Sequence, residues 1–138
     1  MARWSISARS ASSRPGCSPH WRRCRGFGFR SLRFGIDRRP EKRWRAEYFK
    51  DLAIRINSKL KKGVVFIGDE KEVTVIRPIL SSLEVGAAVS LVGLTTLQDL
   101  TALFSLPKIG ALVSCDSGPL HIAWIMGKPV VGLYAANV

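Results

Sequence analysis

Ala111-Leu112-Val113-Ser114-Cys115-Asp116-Ser117-Gly118-Pro119-Leu120-His121 decides how this chain is read. Ala111 to Val113 is an apolar run of strand length, and Ile122 to Met126 continues as a short helix. Between them lies a turn holding a carboxylate, a hydroxyl, a glycine and an imidazole. A strand that ends at a helix start leaves the first helical amides without carbonyl partners, so the junction suits a phosphate or another oxygen-rich group. Gly118 permits close approach of the turn, and Pro119 fits a first helical turn. Ser117 reads either as a helix cap or as a ligand hydroxyl. His121 reads either as a donor to phosphate or sugar oxygen or as a hydrogen-bonding partner of the turn itself.

Outward from this junction the chain repeats strand, helix, strand. Downstream, Gly127-Lys128-Pro129 leads into an apolar strand from Val130 to Tyr134. Upstream, Thr96 caps a helix whose apolar side is Leu97, Leu100, Leu103 and Phe104, with Asp99 as an imperfect capping-box partner. Ser90 to Val92 and Val64 to Ile67 read as strands, the second apolar throughout and therefore covered on both faces. Residues 73 to 88 are divided, because β-branching from Val73 to Ile76 favours a strand while Ile79 to Ala88 supports a helix. Arg45 to Leu60 places Tyr48, Phe49, Leu52, Ala53, Ile56 and Leu60 at helical spacing, and Lys61-Lys62-Gly63 closes that helix with a C-cap glycine. Leu32 to Ile36 supplies a further strand. The predicted class is α/β, a Rossmann-like parallel sheet with helices on both faces and no helix after its last strand.

Charge divides the chain. Of 138 residues with net charge +12, residues 1–62 carry 18 Lys/Arg against 4 Asp/Glu, and residues 63–138 carry 4 against 6. The site therefore does not sit in a basic segment. Residues 1–30 form an Arg-rich leader, Ser-, Pro- and Gly-rich from Ser10 to His20, that predicts little regular structure. Trp21 and Phe27 beside Arg22, Arg23 and Arg25 suggest base stacking only weakly, so no specific nucleic-acid partner is expected. Cys17, Cys24 and His20 lack a standard zinc spacing, and Cys115 reads as a small buried thiol, so neither a metal site nor a disulfide framework is predicted. No apolar run reaches the roughly 20 residues of a membrane span. Cytoplasmic location is the default expectation.

Three separated blocks resemble glycosyltransferase family 9, the lipopolysaccharide heptosyltransferases that use ADP-heptose. They are Arg39-Pro40-Glu41-Lys42-Arg43-Trp44 leading into Glu47-Tyr48-Phe49, Val65-Phe66-Ile67-Gly68-Asp69-Glu70-Lys71-Glu72, and Asp116-Ser117-Gly118-Pro119-Leu120-His121. Leu91 to Leu100 adds a weaker fourth. The resemblance covers residues 31–138 and implies the C-terminal, donor-binding Rossmann-like domain of a two-domain GT-B enzyme. By that resemblance Lys42 approaches donor phosphate or sugar oxygens and Glu72 lies near the adenosine ribose hydroxyls. Asp116, Ser117, Gly118 and His121 fall around the sugar and pyrophosphate, with His121 stabilising leaving-group charge.

The resemblance also implies that no redox cofactor or structural metal is required. A separately encoded acceptor-binding domain becomes a candidate partner, because the family's acceptor side and its catalytic base lie in an N-terminal domain that residues 1–30 are too short to supply. The acceptor would bring the protein to the inner-membrane surface. The sequence departs from the family at Gly35-Ile36-Asp37 and at Tyr134-Ala135-Ala136-Asn137. The expected function is binding of ADP-heptose or a related nucleotide sugar for transfer to a lipopolysaccharide core acceptor, incomplete in this chain alone. A noncatalytic nucleotide-binding or structural remnant is the alternative.

Overall fold

The computed structural model of the chain describes residues 4–9, 30–33 and 44–135, with side chains from 44 to 134. Helix α1 (Ala46–Leu60) forms where the helical spacing predicts it: Phe49, Ala53 and Ile56 are buried, and Glu47, Asp51, Arg55 and Lys59 face solvent. Its end differs from expectation. Lys61, not Gly63, adopts the left-handed conformation (φ 51°), and its amide reaches the Asn57 carbonyl at 3.0 Å. Gly63 instead lies buried directly ahead of the strand β3 (Val64–Ile67), every residue of which is buried.

The divided region resolves as helix. A 3-10 turn, Glu70–Glu72, opens with a capping box between Asp69 and Glu72 and runs into α2 (Val73–Ser81). Burial of Ile76 and Ile79, three residues apart, outweighs the β preference of Val73 to Ile76, since burying a helical face contributes more than propensity costs. Strand β4 (Ala88–Ser90) lies two residues earlier than predicted, and Leu91 still donates to the Phe66 carbonyl at 2.8 Å. In α3 (Leu97–Ser105) the capping box is complete: the Asp99 amide donates to Thr96 Oγ1 at 3.2 Å and the Thr96 amide to Asp99 Oδ2 at 2.9 Å. Strand β5 (Leu112–Cys115), helix α4 (Gly118–Ile125) and strand β6 (Val130–Ala135) complete the series.

Two further strands join this sheet. They are β1 (Trp4–Arg9) and β2 (Arg30–Arg33), and the full order is β1-β6-β5-β2-β3-β4. β2 pairs in parallel with both β3 and β5, β3 with β4, and β5 with β6. β1 pairs antiparallel with β6, from Trp4 opposite Ala135 to Arg9 opposite Val130. The first element thus departs from the expectation of an irregular leader over 1–30, and the sheet carries one antiparallel edge. The other leader residues, apart from Arg30, lie outside the described residues, as do Cys17, His20 and Cys24.

Helices cover both faces. Residues of α1 and α2 pack with Val64, Phe66, Cys115 and Leu133 in one core cluster. Residues of α3 and α4 pack with Val65, Ile67 and Leu112 in the other. Trp44 and Phe49 pack in a T-shaped arrangement with ring centroids 4.7 Å apart, which makes Trp44 a packing anchor at the start of α1. The chain builds outward from β2 through β3 to β4, then crosses back to β5 and β6. Strand order reverses between β2 and β5, and the crevice beyond the carboxyl ends of such a pair is where open α/β sheets hold ligands.

Candidate functional site

Asp116 to His121 occupies that position. β5 ends at Cys115 beside β2, and the next residues turn into α4, which begins at Gly118 and so takes in His121. The helix starts earlier than the apolar run suggested, because Pro119 sits in its first turn with a φ already suited to it. The Leu120 and His121 amides turn back to the Ser117 carbonyl, at 3.0 and 3.4 Å. Pro119 has no amide proton. The Gly118 amide has no carbonyl partner among the described residues and stands at the positive end of the helix dipole.

The side chains of this turn are already organised. His121 Nε2 lies 3.2 Å from Asp116 Oδ1, with 57% and 63% of the two side chains exposed, a degree at which the pair adds little to stability. Asp116 as a carboxylate can only accept, so the shared proton is on Nε2. His121 Nδ1 is then an acceptor in the neutral ring and a donor only in the imidazolium. Ser117 occupies the N-cap position, yet its side chain makes no capping bond. Its Oγ instead lies 3.0 Å from Ser114 Oγ, and Ser114, fully buried, donates to the Cys115 carbonyl at 2.8 Å. In the sequence Ser114 carries one signal only, a hydroxyl inside an apolar strand.

Gly118 is exposed, and a Cβ built there would meet nothing within 4 Å. Among the described residues nothing requires glycine at this position. Gly68 is the opposite case: a Cβ there would collide with the Glu72 carboxylate. Glu72 is fully buried beneath it and accepts the Asp69 amide at 2.7 Å. The acid expected near a ribose therefore faces inward, holding the turn after β3. Its strand lies beyond β2 from β5, about 10 Å across at ordinary strand spacing. Lys42 falls on the connection from β2 to α1, outside the described residues.

Below the site, Lys128 ties two loops together. Its Nζ donates to the Leu106 and Ile109 carbonyls at 2.8 and 2.9 Å, and burial lowers its pKa. Gly127 (φ 77°) closes α4 in a Schellman motif, with the Lys128 amide on the Ala123 carbonyl and its own on that of Trp124, both at 2.9 Å. Among the described residues no group of three or more His, Cys, Asp or Glu could hold a metal ion, and no helix is long and apolar enough to cross a membrane.

Residues 35–137 match glycosyltransferase family 9 (heptosyltransferase). The chain belongs to this family. It is 34% identical over 99 residues to the lipopolysaccharide core heptosyltransferase OpsX of Haemophilus influenzae, covering 70% of this chain and 27% of that protein. Its fold is similar to the family 9 glycosyl transferase of Veillonella parvula, with a TM-score of 0.70 and 27% identity over 86% of this chain and 34% of that one. The ADP-heptose lps heptosyltransferase II of E. coli gives a TM-score of 0.69 at 27% identity, over 78% of this chain and 33% of the other. This chain thus spans about a third or less of the length of these family 9 relatives. The α/β sheet with helices on both faces is the Rossmann-like unit of their GT-B-like fold.

Proposed function

We propose that residues 31–138 form the donor-binding half of a heptosyltransferase, holding ADP-heptose or a related nucleotide sugar for transfer to a lipopolysaccharide core acceptor. The observation that carries this reading is the turn at Gly118: at a helix start beside the sheet's reversal point, its amide lacks a carbonyl partner and its Cα faces open space among the described residues. The printed names of two relatives, a lipopolysaccharide core heptosyltransferase and an ADP-heptose lps heptosyltransferase, support the substrate class.

In this reading the diphosphate lies at the start of α4, where the Gly118 amide and the helix dipole favour negative charge. Asp116 accepts from sugar hydroxyls. An acceptor hydroxyl oxygen bonds to the anomeric carbon as the bond from that carbon to the phosphate oxygen breaks, and ADP leaves with the electron pair. The acceptor's proton passes to a base on the acceptor-side domain, whether in a longer chain or a separate one. His121 as imidazolium donates through Nδ1 to the departing oxygen, and Lys42 adds positive charge. Glu72 serves first by holding the turn after β3, and a direct ribose contact needs its side chain to swing out from beneath Gly68. Contact with the membrane surface comes only through the lipid-borne acceptor.

Calorimetric titration of the full chain with ADP-heptose tests this. The wild type binds, and His121→Ala and Lys42→Ala each weaken binding about tenfold, the loss expected for one charge-assisted hydrogen bond. A wild type that takes up neither ADP-heptose nor ADP would sink the proposal.

A further inference from the structure

Tyr134 stands where β6 reaches the carboxyl end of the sheet. Val130 packs in the cluster of α3 and α4, while Val131 and Leu133 pack in that of α1 and α2, so by strand alternation Gly132 and Tyr134 face α3 and α4. The register pairs Ser114 with Gly132 and Cys115 with Leu133, which brings Tyr134 level with Asp116 on the face that carries the first turn of α4. Its ring does not rise from there. It folds back along the strand: a Cβ on Gly132 would come within 2.5 Å of Tyr134 Cε2 and 3.0 Å of its Cζ and hydroxyl oxygen. Gly132 is buried and its φ is not positive, so what glycine supplies here is room for that ring.

We infer that Gly132 is a positioning residue for the donor site: by seating the Tyr134 ring on the strand, it keeps the ring out of the space beside the α4 start where the donor's diphosphate would lie. This rests on the donor-binding reading above and adds to it a residue outside the turn between β5 and α4. The staggered χ1 positions of a strand side chain set the choice. One of them lays the ring over residue 132, and a methyl group there closes it. Towards β5 the same face is filled, with Ser114 fully buried and Pro119 and Leu120 buried under α4. A displaced ring that keeps its apolar contact with α4 then passes the end of β6, beside Asp116 and His121, whose side chains are more than half exposed. The collision falls on the far end of a flexible side chain, so the ring moves and the backbone holds.

Calorimetry of the full chain with ADP and with ADP-heptose tests this, beside nitration of Tyr134 by tetranitromethane read by peptide mass spectrometry against the exposed Tyr48. Gly132→Ala weakens both ligands about tenfold and speeds nitration of Tyr134. Tyr134→Ala keeps wild-type affinity, and the double variant of Gly132→Ala with Tyr134→Ala regains it within about twofold, which a merely structural glycine would not show. A double variant as weak as Gly132→Ala overturns the role. So does wild-type affinity in Gly132→Ala, the result if the ring swings over β1, or an unchanged nitration rate. Gly132→Ala failing to fold while the double variant folds shows that the ring has no second seat, and failure of both returns Gly132 to the sheet; either outcome overturns the inference. A loss confined to ADP-heptose overturns the placement beside the diphosphate while leaving donor binding intact. A wild type that binds neither ligand removes the donor reading, and this role with it.

Discussion

At the scale of single residues, glycines separate what the fold needs from what a ligand would need. Gly68 is held by Glu72 pressing against it, a reason internal to the protein. Gly118 meets no such neighbour among the described residues, so its replacement reads out ligand contact. Gly118→Ala is expected to leave the melting temperature within about 2 °C of wild type, or raise it slightly because alanine is the better helix former. The same substitution weakens ADP-heptose binding about tenfold by placing a methyl over the turn. Thermal melts beside titrations check both halves, and a matched loss of stability would return Gly118 to a structural role. Lys61 is the converse, a side chain where glycine would serve better. Its φ of 51° costs a residue with a Cβ, so Lys61→Gly should stabilise the chain by about 0.5–1 kcal/mol in urea unfolding.

Among the elements, the α3–β5 and α4–β6 connections depend on one ammonium group. Lys128→Met keeps the stem but leaves the Leu106 and Ile109 carbonyls without their donor, at an expected cost of about 1–3 kcal/mol. The sign of its pH dependence follows from the lowered pKa. On raising the pH, the folded chain releases this proton before the unfolded chain does, so the unfolded state binds more protons in that alkaline window and stability from this group rises across it. A neutral amine still has two protons for two carbonyls. The advantage of wild type over Lys128→Met in denaturant midpoint should therefore grow from neutral to alkaline pH. A shrinking advantage would show that the ammonium, not the amine, is the better clamp.

For the whole molecule, the consequence lies in the pairing of β1 with β6. That antiparallel strand covers what is otherwise the open edge of a parallel sheet, and an uncovered edge is a template for another chain. Removing residues 1–9 should leave the β2-to-β6 sheet folded but promote self-association, seen as a concentration-dependent rise in sedimentation coefficient. Monomeric behaviour equal to that of the full chain would show that β6 needs no cover.

Local order was legible in the residues themselves. The spacing of Phe49, Ala53 and Ile56 gave a helix, the apolar run Val64 to Ile67 a strand buried on both faces, and Thr96 with Asp99 a helix start, because each depends on neighbours a few positions apart. The short blocks around Lys42, Glu72 and Asp116 likewise pointed to the family that residues 35–137 match. β2 begins at Arg30, two residues before the expected Leu32, and residues 34–36 of the expected strand lie outside the described residues; β1 has no counterpart in the expected elements. Arg30-Ser31-Leu32-Arg33 has one apolar residue and no pattern of a central strand, and Trp4-Ser5-Ile6-Ser7-Ala8-Arg9 alternates but was masked by its basic, Ser-rich surroundings. Strand order, the inward turn of Glu72 and the pairing of the Ser114 and Ser117 hydroxyls were decided only in three dimensions. Each depends on groups that meet through the sheet or beneath a turn, where burial and hydrogen-bond direction override what a residue type suggests by itself.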